Sequence, residues 1–332
     1  MIGRIFAFPR VRLTTLPTPM ERASRLGGEL GIELFVKRDD VMELALGGNK
    51  VRKLEFIMGD ALSQGSDVVI TTGAYHSNHA RLTAAAARKL GLDVYLVLTP
   101  PRRPVVNGNL LLDRLFGAGV LMAKDRDEAK RLVEDLEKKL RKEGRRPYVI
   151  PGGGASPHGV LGYVLAALEI AQQLHEMNKR ARYIVHATGS GTTQAGLVLG
   201  AKLLGLDVEV VGISVGAPAD RVRERVAELA NKASDLLGAK VRVEPEEVTV
   251  FDNYTYGGYA EITREVVEVM ELAARSEGLV LDPVYTAKAL AGLIDLVNRG
   301  YIEKGSVVVF IHTGGTPIPF QYSEEVVQYL TK

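Results

Sequence analysis

Lys50 is the residue of this chain best equipped for covalent chemistry. It follows Gly47-Gly48-Asn49 and opens Val51-Arg52-Lys53-Leu54, which reads as the start of a helix. The glycines set a turn, and a lysine held at its exit can form a Schiff base with an aldehyde cofactor. A second element, Gly189-Ser190-Gly191-Thr192-Thr193, lies between a strand-like run and an Ala/Gly/Leu-rich helical run. N–H groups at a helix N-terminus lack internal partners and, with the helix dipole, favour a phosphate. The Ser and Thr hydroxyls add donors.

Together these elements point to pyridoxal phosphate (PLP). Other readings of each have a cost. The second loop also reads as a plain strand-to-helix turn with Thr192 as its N-cap. As a dinucleotide fingerprint it has Gly189, Gly191 and a later Glu209, but Gln194 takes the third glycine's place. A nicotinamide enzyme is therefore a runner-up, which predicts no yellow colour. Gly47-Gly48-Asn49-Lys50 is not a P-loop, because the Gly-Lys-Ser/Thr ending is absent.

Other candidates gather around these two. His76-Ser77-Asn78-His79 opens a helix, so its N–H groups can receive a substrate carboxylate. Ser77 is either an N-cap or a hydroxyl beside the cofactor. His76 and His79 lack a third ligand cluster, which argues against a metal. Gly152-Gly153-Gly154-Ala155-Ser156 is a site wall, a hinge or packing. Tyr254, Tyr256 and Tyr259 cluster near Gly257-Gly258, and Tyr285 follows Leu281-Asp282-Pro283-Val284. Tyrosines beside a bound cofactor can stack or move a proton. Thr313 follows the last strand-like run, where α/β sheets bind ligands.

Bulk composition limits what surrounds these residues. The chain has 332 residues, which suits two α/β domains better than one small core. A net charge of +2 gives no argument for nucleic acid or an anionic membrane as partner. The absence of cysteine removes disulfides, thiolate metal sites and cysteine nucleophiles. No signal-peptide pattern and no long apolar run is present, so a cytoplasmic enzyme is expected.

Short Val/Ile-rich runs alternate with long helical ones. Strands are predicted at 33–37, 68–71, 94–98, 120–122, 148–150, 183–187, 208–214 and 307–311. Helices are predicted at 50–64, 77–90, 109–116, 127–142, 159–176, 192–204, 221–237, 259–277, 286–299 and 323–330. Strands apolar throughout are those of parallel sheets buried on both faces. The alternation predicts an α/β chain with open parallel sheets covered by helices, formed twice over. The 127–142 helix is a charged, solvated face over one apolar stripe. Pro100-Pro101-Arg102-Arg103-Pro104 reads as a solvated loop.

Taken in order, these motifs resemble the fold-type II PLP enzymes, the tryptophan-synthase-β-like group. More narrowly, they resemble its branch of 1-aminocyclopropane-1-carboxylate (ACC) deaminase and D-cysteine desulfhydrase. The resemblance rests on Lys37-Arg38-Asp39-Asp40, Gly47-Gly48-Asn49-Lys50-x-Arg52-Lys53-Leu54, His76-Ser77-Asn78-His79, Gly152-Gly153-Gly154-Ala155-Ser156, Gly189-Ser190-Gly191-Thr192, Leu281-Asp282-Pro283-Val284-Tyr285 and His312-Thr313-Gly314-Gly315. It implies two three-layer αβα domains: a large one from 1–52 plus 162–332, and a small one, 53–161, inserted in it. The active site would lie in the cleft between them.

The resemblance also assigns residues. Lys50 carries PLP, with Asn49 beside it. Asn78 faces the cofactor's ring hydroxyl. Gly189, Ser190, Gly191, Thr192 and Thr193 form the phosphate cup, slightly altered because Thr192 stands where glycine is frequent. Ser77 is the active-site serine, and the N–H groups of Ser77, Asn78 and His79 take the substrate carboxylate. Tyr256 and Tyr285 flank the substrate, and Thr313 faces the pyridine nitrogen.

ACC deaminases place a glutamate where this chain has Thr286, and a leucine where it has Thr313. D-cysteine desulfhydrases resemble this chain at both. The expectation is β-elimination on a small amino acid, best D-cysteine, giving pyruvate, ammonia and sulfide. ACC deamination, a lyase acting on L-cysteine or cysteate, and a non-catalytic PLP-binding protein are the alternatives. The resemblance further implies a homodimer.

Overall fold

The computed structural model describes residues 2–100 and 105–330. Arg102 and Arg103 of the proline-flanked loop lie outside the described residues. The strands are β1 Met20–Arg22, β2 Glu33–Arg38, β3 Val68–Ala74, β4 Asp93–Thr99, β5 Gly119–Met122, β6 Pro147–Ile150, β7 Tyr183–Thr188, β8 Glu209–Ser214, β9 Thr249–Phe251 and β10 Val307–His312. The helices are α1 Ser24–Leu30, α2 Lys50–Ser63, α3 Asn78–Lys89, α4 Gly108–Leu115, α5 Arg126–Lys142, α6 Pro157–Glu176, α7 Thr192–Leu204, α8 Ala219–Leu236, α9 Arg264–Glu277, α10 Thr286–Asn298, α11 Ile318–Gln321 and α12 Ser323–Tyr329.

Two sheets form. The larger runs β1-β2-β10-β7-β8-β9 and the smaller β5-β4-β3-β6. The smaller is parallel throughout, with Val69 level with Val94 and Tyr148. Its strands all come from the stretch between β2 and β7 of the larger sheet. Each sheet is covered on both faces. Leu197, Val198 and Val226 of α7 and α8 pack on one side of the larger sheet, and Val266, Leu290 and Leu293 of α9 and α10 on the other. In the smaller sheet, α2, α3 and α4 cover one face. Helix α5 covers the other with Ala129, Val133 and Leu140. The chain therefore has the α/β, tryptophan-synthase-β-like architecture with two three-layer units. The expected boundaries at 52/53 and 161/162 fall inside α2 and α6, which pack against each other.

Three differences from the predicted elements have physical reasons. First, the larger sheet is not wholly parallel: β1 pairs antiparallel with β2, Glu21 opposite Val36. Three residues, two of them charged, carry too little apolar pattern to read as a strand. Second, β9 is equally short. Third, the helix expected from 259 starts at Arg264. Tyr256, Gly257, Gly258 and Ala260 all have left-handed φ, so the chain turns before the helix can begin. Where caps are plain in sequence the starts fall close to expectation. Asp125 accepts from Glu128 N at 2.8 Å, and Ser156 from Gly159 N at 3.1 Å.

Candidate active site

The C-terminal ends of the strands of both sheets face one cleft, a cavity of about 960 Å³. Lys50 lines it. The Gly47-Gly48 turn fixes where Lys50 starts. Gly48 has a φ of +123°, and a Cβ there would press on the Thr313 carbonyl at 3.2 Å. Gly314 lies still closer, since a Cβ built on it would reach Gly48 Cα at 2.6 Å. These contacts need glycine on both loops. Arg81 Nη2 donates to Gly47 O at 2.7 Å and ties the turn to α3.

Asn49 joins three predicted site residues. Its N–H donates to Thr313 O at 3.0 Å, its Nδ2 to Thr193 Oγ1 at 3.1 Å, and its Oδ1 accepts from Lys50 Nζ at 3.0 Å. Lys50 is its chain neighbour, but sequence spacing gave no reason for Thr193 and Thr313 to meet Asn49; the sheet order brings β2, β10 and β7 side by side.

The loop expected to be the phosphate cup lies at the start of α7. Its N-cap is Gly191, with φ +81°, and not Thr192. Gly189, Ser190, Gly191 and Thr193 line the cavity. Thr192 is fully buried and does not; its hydroxyl lies 3.2 Å from Ser190 Oγ. Thr188, the last residue of β7, joins the lining. Its buried Oγ1 has no partner among the described residues. The Gly152–Gly154 turn forms the opposite wall, so close that a Cβ on Gly153 would meet Ser190 Cβ at 2.8 Å. Arg225 of α8 donates to Gly189 O at 3.1 Å, placing a cation beside the cup.

At the start of α3, Ser77 is both the N-cap and a cleft residue. Its Oγ accepts from Ala80 N at 3.2 Å. Its own N–H is committed to Ala74 O at 2.9 Å, so Asn78 and His79 are the members of the expected carboxylate trio with free first-turn donors. Asn109 Nδ2 donates to Asn78 Oδ1 at 2.8 Å, which leaves the Asn78 Nδ2 donor for a ligand oxygen. The two histidines diverge. His76 packs edge-on against Tyr75 and Tyr322, whereas His79 Nε2 lies 2.9 Å from Thr71 Oγ1.

The cleft is short of counter-charge. Burial lowers the Lys50 amine to about 8. Lys53, one turn along α2, also lines the cavity and is 1% exposed. Among the described residues its amine bonds to Gly153 O alone, at a long 3.4 Å. Burial and then the neighbouring Lys50 push its amine far below the usual lysine range. His79 is held neutral by burial and by these lysines.

Tyr259 and Tyr285 cross the cleft mouth, with hydroxyls 2.5 Å apart and rings edge-to-face at 5.8 Å. Burial raises both phenols, Tyr285 far above 10. Both hydroxyls are therefore protonated donors at neutral pH. Tyr256 does not line the cavity. It packs against the apolar layer beneath α10, its left-handed φ of +52° having turned the chain so that Tyr259 faces the cleft. Asp282 fixes Tyr285. Its Oδ1 accepts from the N–H groups of Val284 and Tyr285 at 2.8 Å, and its Oδ2 from the Thr286 hydroxyl at 2.8 Å and N–H at 3.1 Å. Thr286 is thus buried against Asp282, while Thr313 lines the cleft. Lys53, Thr188 and Asp282 were given no site role from sequence, and Tyr259 was noted only as one of a tyrosine cluster, with Tyr256 preferred to it. For Lys53 the available signal was its place three residues from Lys50.

These residues fit PLP. An orphaned Thr188 hydroxyl, an uncapped helix start, Arg225 and Lys53 suit a phosphate. A lysine with a lowered amine suits an aldehyde. The comparisons agree. The family model "Pyridoxal-phosphate dependent enzyme" matches residues 11–314. The chain belongs to that family of pyridoxal-phosphate-dependent enzymes. Within it, the chain is 46% identical to a Pyrococcus horikoshii protein named "Putative 1-aminocyclopropane-1-carboxylate deaminase", covering 99% of this chain and 100% of that one. It is 42% identical to a Yersinia pestis D-cysteine desulfhydrase, covering 97% of this chain and 98% of that one. A crystal structure of an ACC deaminase homologue superposes with a TM-score of 0.92 at 44% identity, over 99% of each chain. This chain is accordingly a PLP-dependent enzyme of the deaminase and lyase kind. No described helix is long and apolar enough to cross a membrane.

Proposed function

We propose that this enzyme is a D-cysteine desulfhydrase, converting D-cysteine and water to pyruvate, ammonia and hydrogen sulfide. The observation that carries this reading is the pair Thr286 and Thr313. Thr313 offers the cleft a hydroxyl, and Thr286 is turned into Asp282. Apart from Glu134 and Glu137 of α5, Asp282 is the only carboxylate among the described residues lining the cavity, and four donors occupy its oxygens. Neither Thr286 nor the occupied Asp282 offers a free carboxylate to strengthen the electron sink, as ring opening would demand. Elimination of a good leaving group asks less.

Bound PLP supplies the sink for the electron pair left at Cα. The chain's residues do the rest. Lys50 anchors the cofactor, with Asn78 and the 188–193 cup orienting it. The Asn78 and His79 N–H groups receive the substrate carboxylate. Lys50 removes the Cα proton: its amine, lowered to about 8, is partly neutral at working pH, whereas both tyrosines hold their protons too tightly to be bases. The Tyr259–Tyr285 pair, or the Ser77 hydroxyl, can donate to the departing sulfur.

A second reading, ACC deamination, is favoured by the name of the 46% identical relative. Measuring 2-oxo acid release from D-cysteine, L-cysteine, cysteate and ACC side by side separates them. We expect D-cysteine to have the highest kcat/KM. A higher value for ACC would reverse the assignment, and turnover of none would favour a PLP-binding protein without catalysis.

A further inference from the structure

Lys288 is fully buried in α10 and no function above uses it. Its Nζ donates to two carbonyls, Thr255 O and Gly258 O, each at 2.8 Å. Both already close turns. Thr255 O accepts from Gly258 N at 3.1 Å, and Gly258 O from Glu261 N at 3.4 Å. The two turns are consecutive, and Tyr259 sits inside the second. They are also strained. Tyr256 and Ala260 hold φ of +52° and +62°, which non-glycine residues adopt only when their surroundings enforce it. On the far side, a Cβ on Gly216 would meet Tyr259 Cβ at 2.9 Å, so the loop is seated against the end of β8. Lys288 lies in the first turn of the helix that Tyr285 caps, so the helix that follows one tyrosine grips the loop bearing the other.

We propose that Lys288 is a positioning residue: its ammonium clasps the two turns that present Tyr259, and thereby sets the hydroxyl contact between Tyr259 and Tyr285. This rests on the reading of the tyrosine pair as substrate-side donors. A helix-borne lysine with two fixed acceptors holds a strained loop better than the loop's own long 3.4 Å bond could. Burial lowers this amine to about 8, and the Glu261 and Asp282 carboxylates act against that and favour its charge.

The test is a double-mutant cycle in the PLP-loaded chain, with Lys288→Met and Tyr259→Phe. A misplaced tyrosine should cost Lys288→Met about 10²-fold in kcat with KM little changed. The lysine-linked PLP absorbance should be retained. In the Tyr259→Phe background, Lys288→Met should cost nothing further. Equal losses in both backgrounds, or no loss in the wild-type background, would overturn the clasp. If Tyr259→Phe alone leaves kcat unchanged, the tyrosine reading fails instead. The clasp is then judged by amide exchange at 255–261 in the unloaded chain, which must accelerate in Lys288→Met; unchanged protection rejects it. Should the methionine variant not fold, Lys288→Gln, too short to reach both carbonyls, takes its place throughout.

Discussion

Arg52 and Lys53 are adjacent on α2, both 1% exposed, and the protein treats them in opposite ways. Arg52 points into a closed network. Its guanidinium donates to both oxygens of Asp39 at 3.0 and 2.8 Å, to both of Glu169 at 2.8 and 2.9 Å, and to Thr18 Oγ1 at 2.9 Å. Lys37 joins the same Glu169, and the Tyr163 hydroxyl the same Asp39. Among the described residues, Lys53 and its cleft neighbour Lys50 have no bonded carboxylate; Lys50 has an amide oxygen and Lys53 a distant carbonyl. Burial is the largest influence on all three, yet the paired arginine is held charged and the unpaired lysines are driven toward neutrality. A compensated charge locks a structure, whereas an uncompensated one stays reactive. Helix periodicity makes both possible on one element, since neighbouring residues leave it about 100° apart.

Substitutions can break this contrast. The largest effect is expected at the reactive end. Lys50→Ala should lower turnover by about 10⁴-fold or more and abolish the lysine-linked absorbance band of added PLP. Persistence of that band would remove Lys50 from its role. Next, Arg52→Met leaves Asp39 and Glu169 buried without their main partner. It should cost about 3–5 kcal/mol in denaturant unfolding, with PLP still able to load onto the folded fraction. A loss below 1 kcal/mol would mean that the network is not what holds α2.

A pH series sharpens the contrast further. The folded Lys50 amine lies near 8 against 10.5 unfolded, so between those values the unfolded chain binds more protons. Lys50 therefore costs the unloaded protein stability below pH 8, and that cost fades as pH rises through 8 to 10.5. Unloaded Lys50→Met should be more stable than wild type at pH 7, by up to about 3 kcal/mol, with the gap closing by pH 10.5. A gap independent of pH would refute the lowered amine. The smallest effect is expected at an exposed pair. Breaking Lys232–Glu228, bonded at 2.6 Å, should change stability by no more than about 0.5 kcal/mol, which serves as the baseline for the buried cluster.

Much of the fold was legible, for local reasons. Strands such as β3 and β7 are apolar on both faces, and helices such as α5 and α6 carry their caps in plain sight. β1 and β9 were not legible because three residues hold no period. The site divided in the same way. That Lys50, Ser77, Asn78 and the 189–193 loop other than Thr192 would share one cleft was readable because each sits at a helix start, where local chemistry announces itself. The choice between Tyr256 and Tyr259 was not, since it depends on backbone turns held by a lysine from another helix.

By itself, then, the sequence determined the cofactor class. A lysine after two glycines and a helix start rich in hydroxyls are local devices, complete within a few residues. The tertiary structure alone decided which groups surround that lysine. Asn49 meets Thr193 and Thr313 only because β2, β10 and β7 are neighbours. Lys53 is unpaired and Arg52 paired only because one faces the cleft and the other the core. Protonation depends on the distance and burial of partners remote along the chain, and only the folded arrangement of the two sheets sets these.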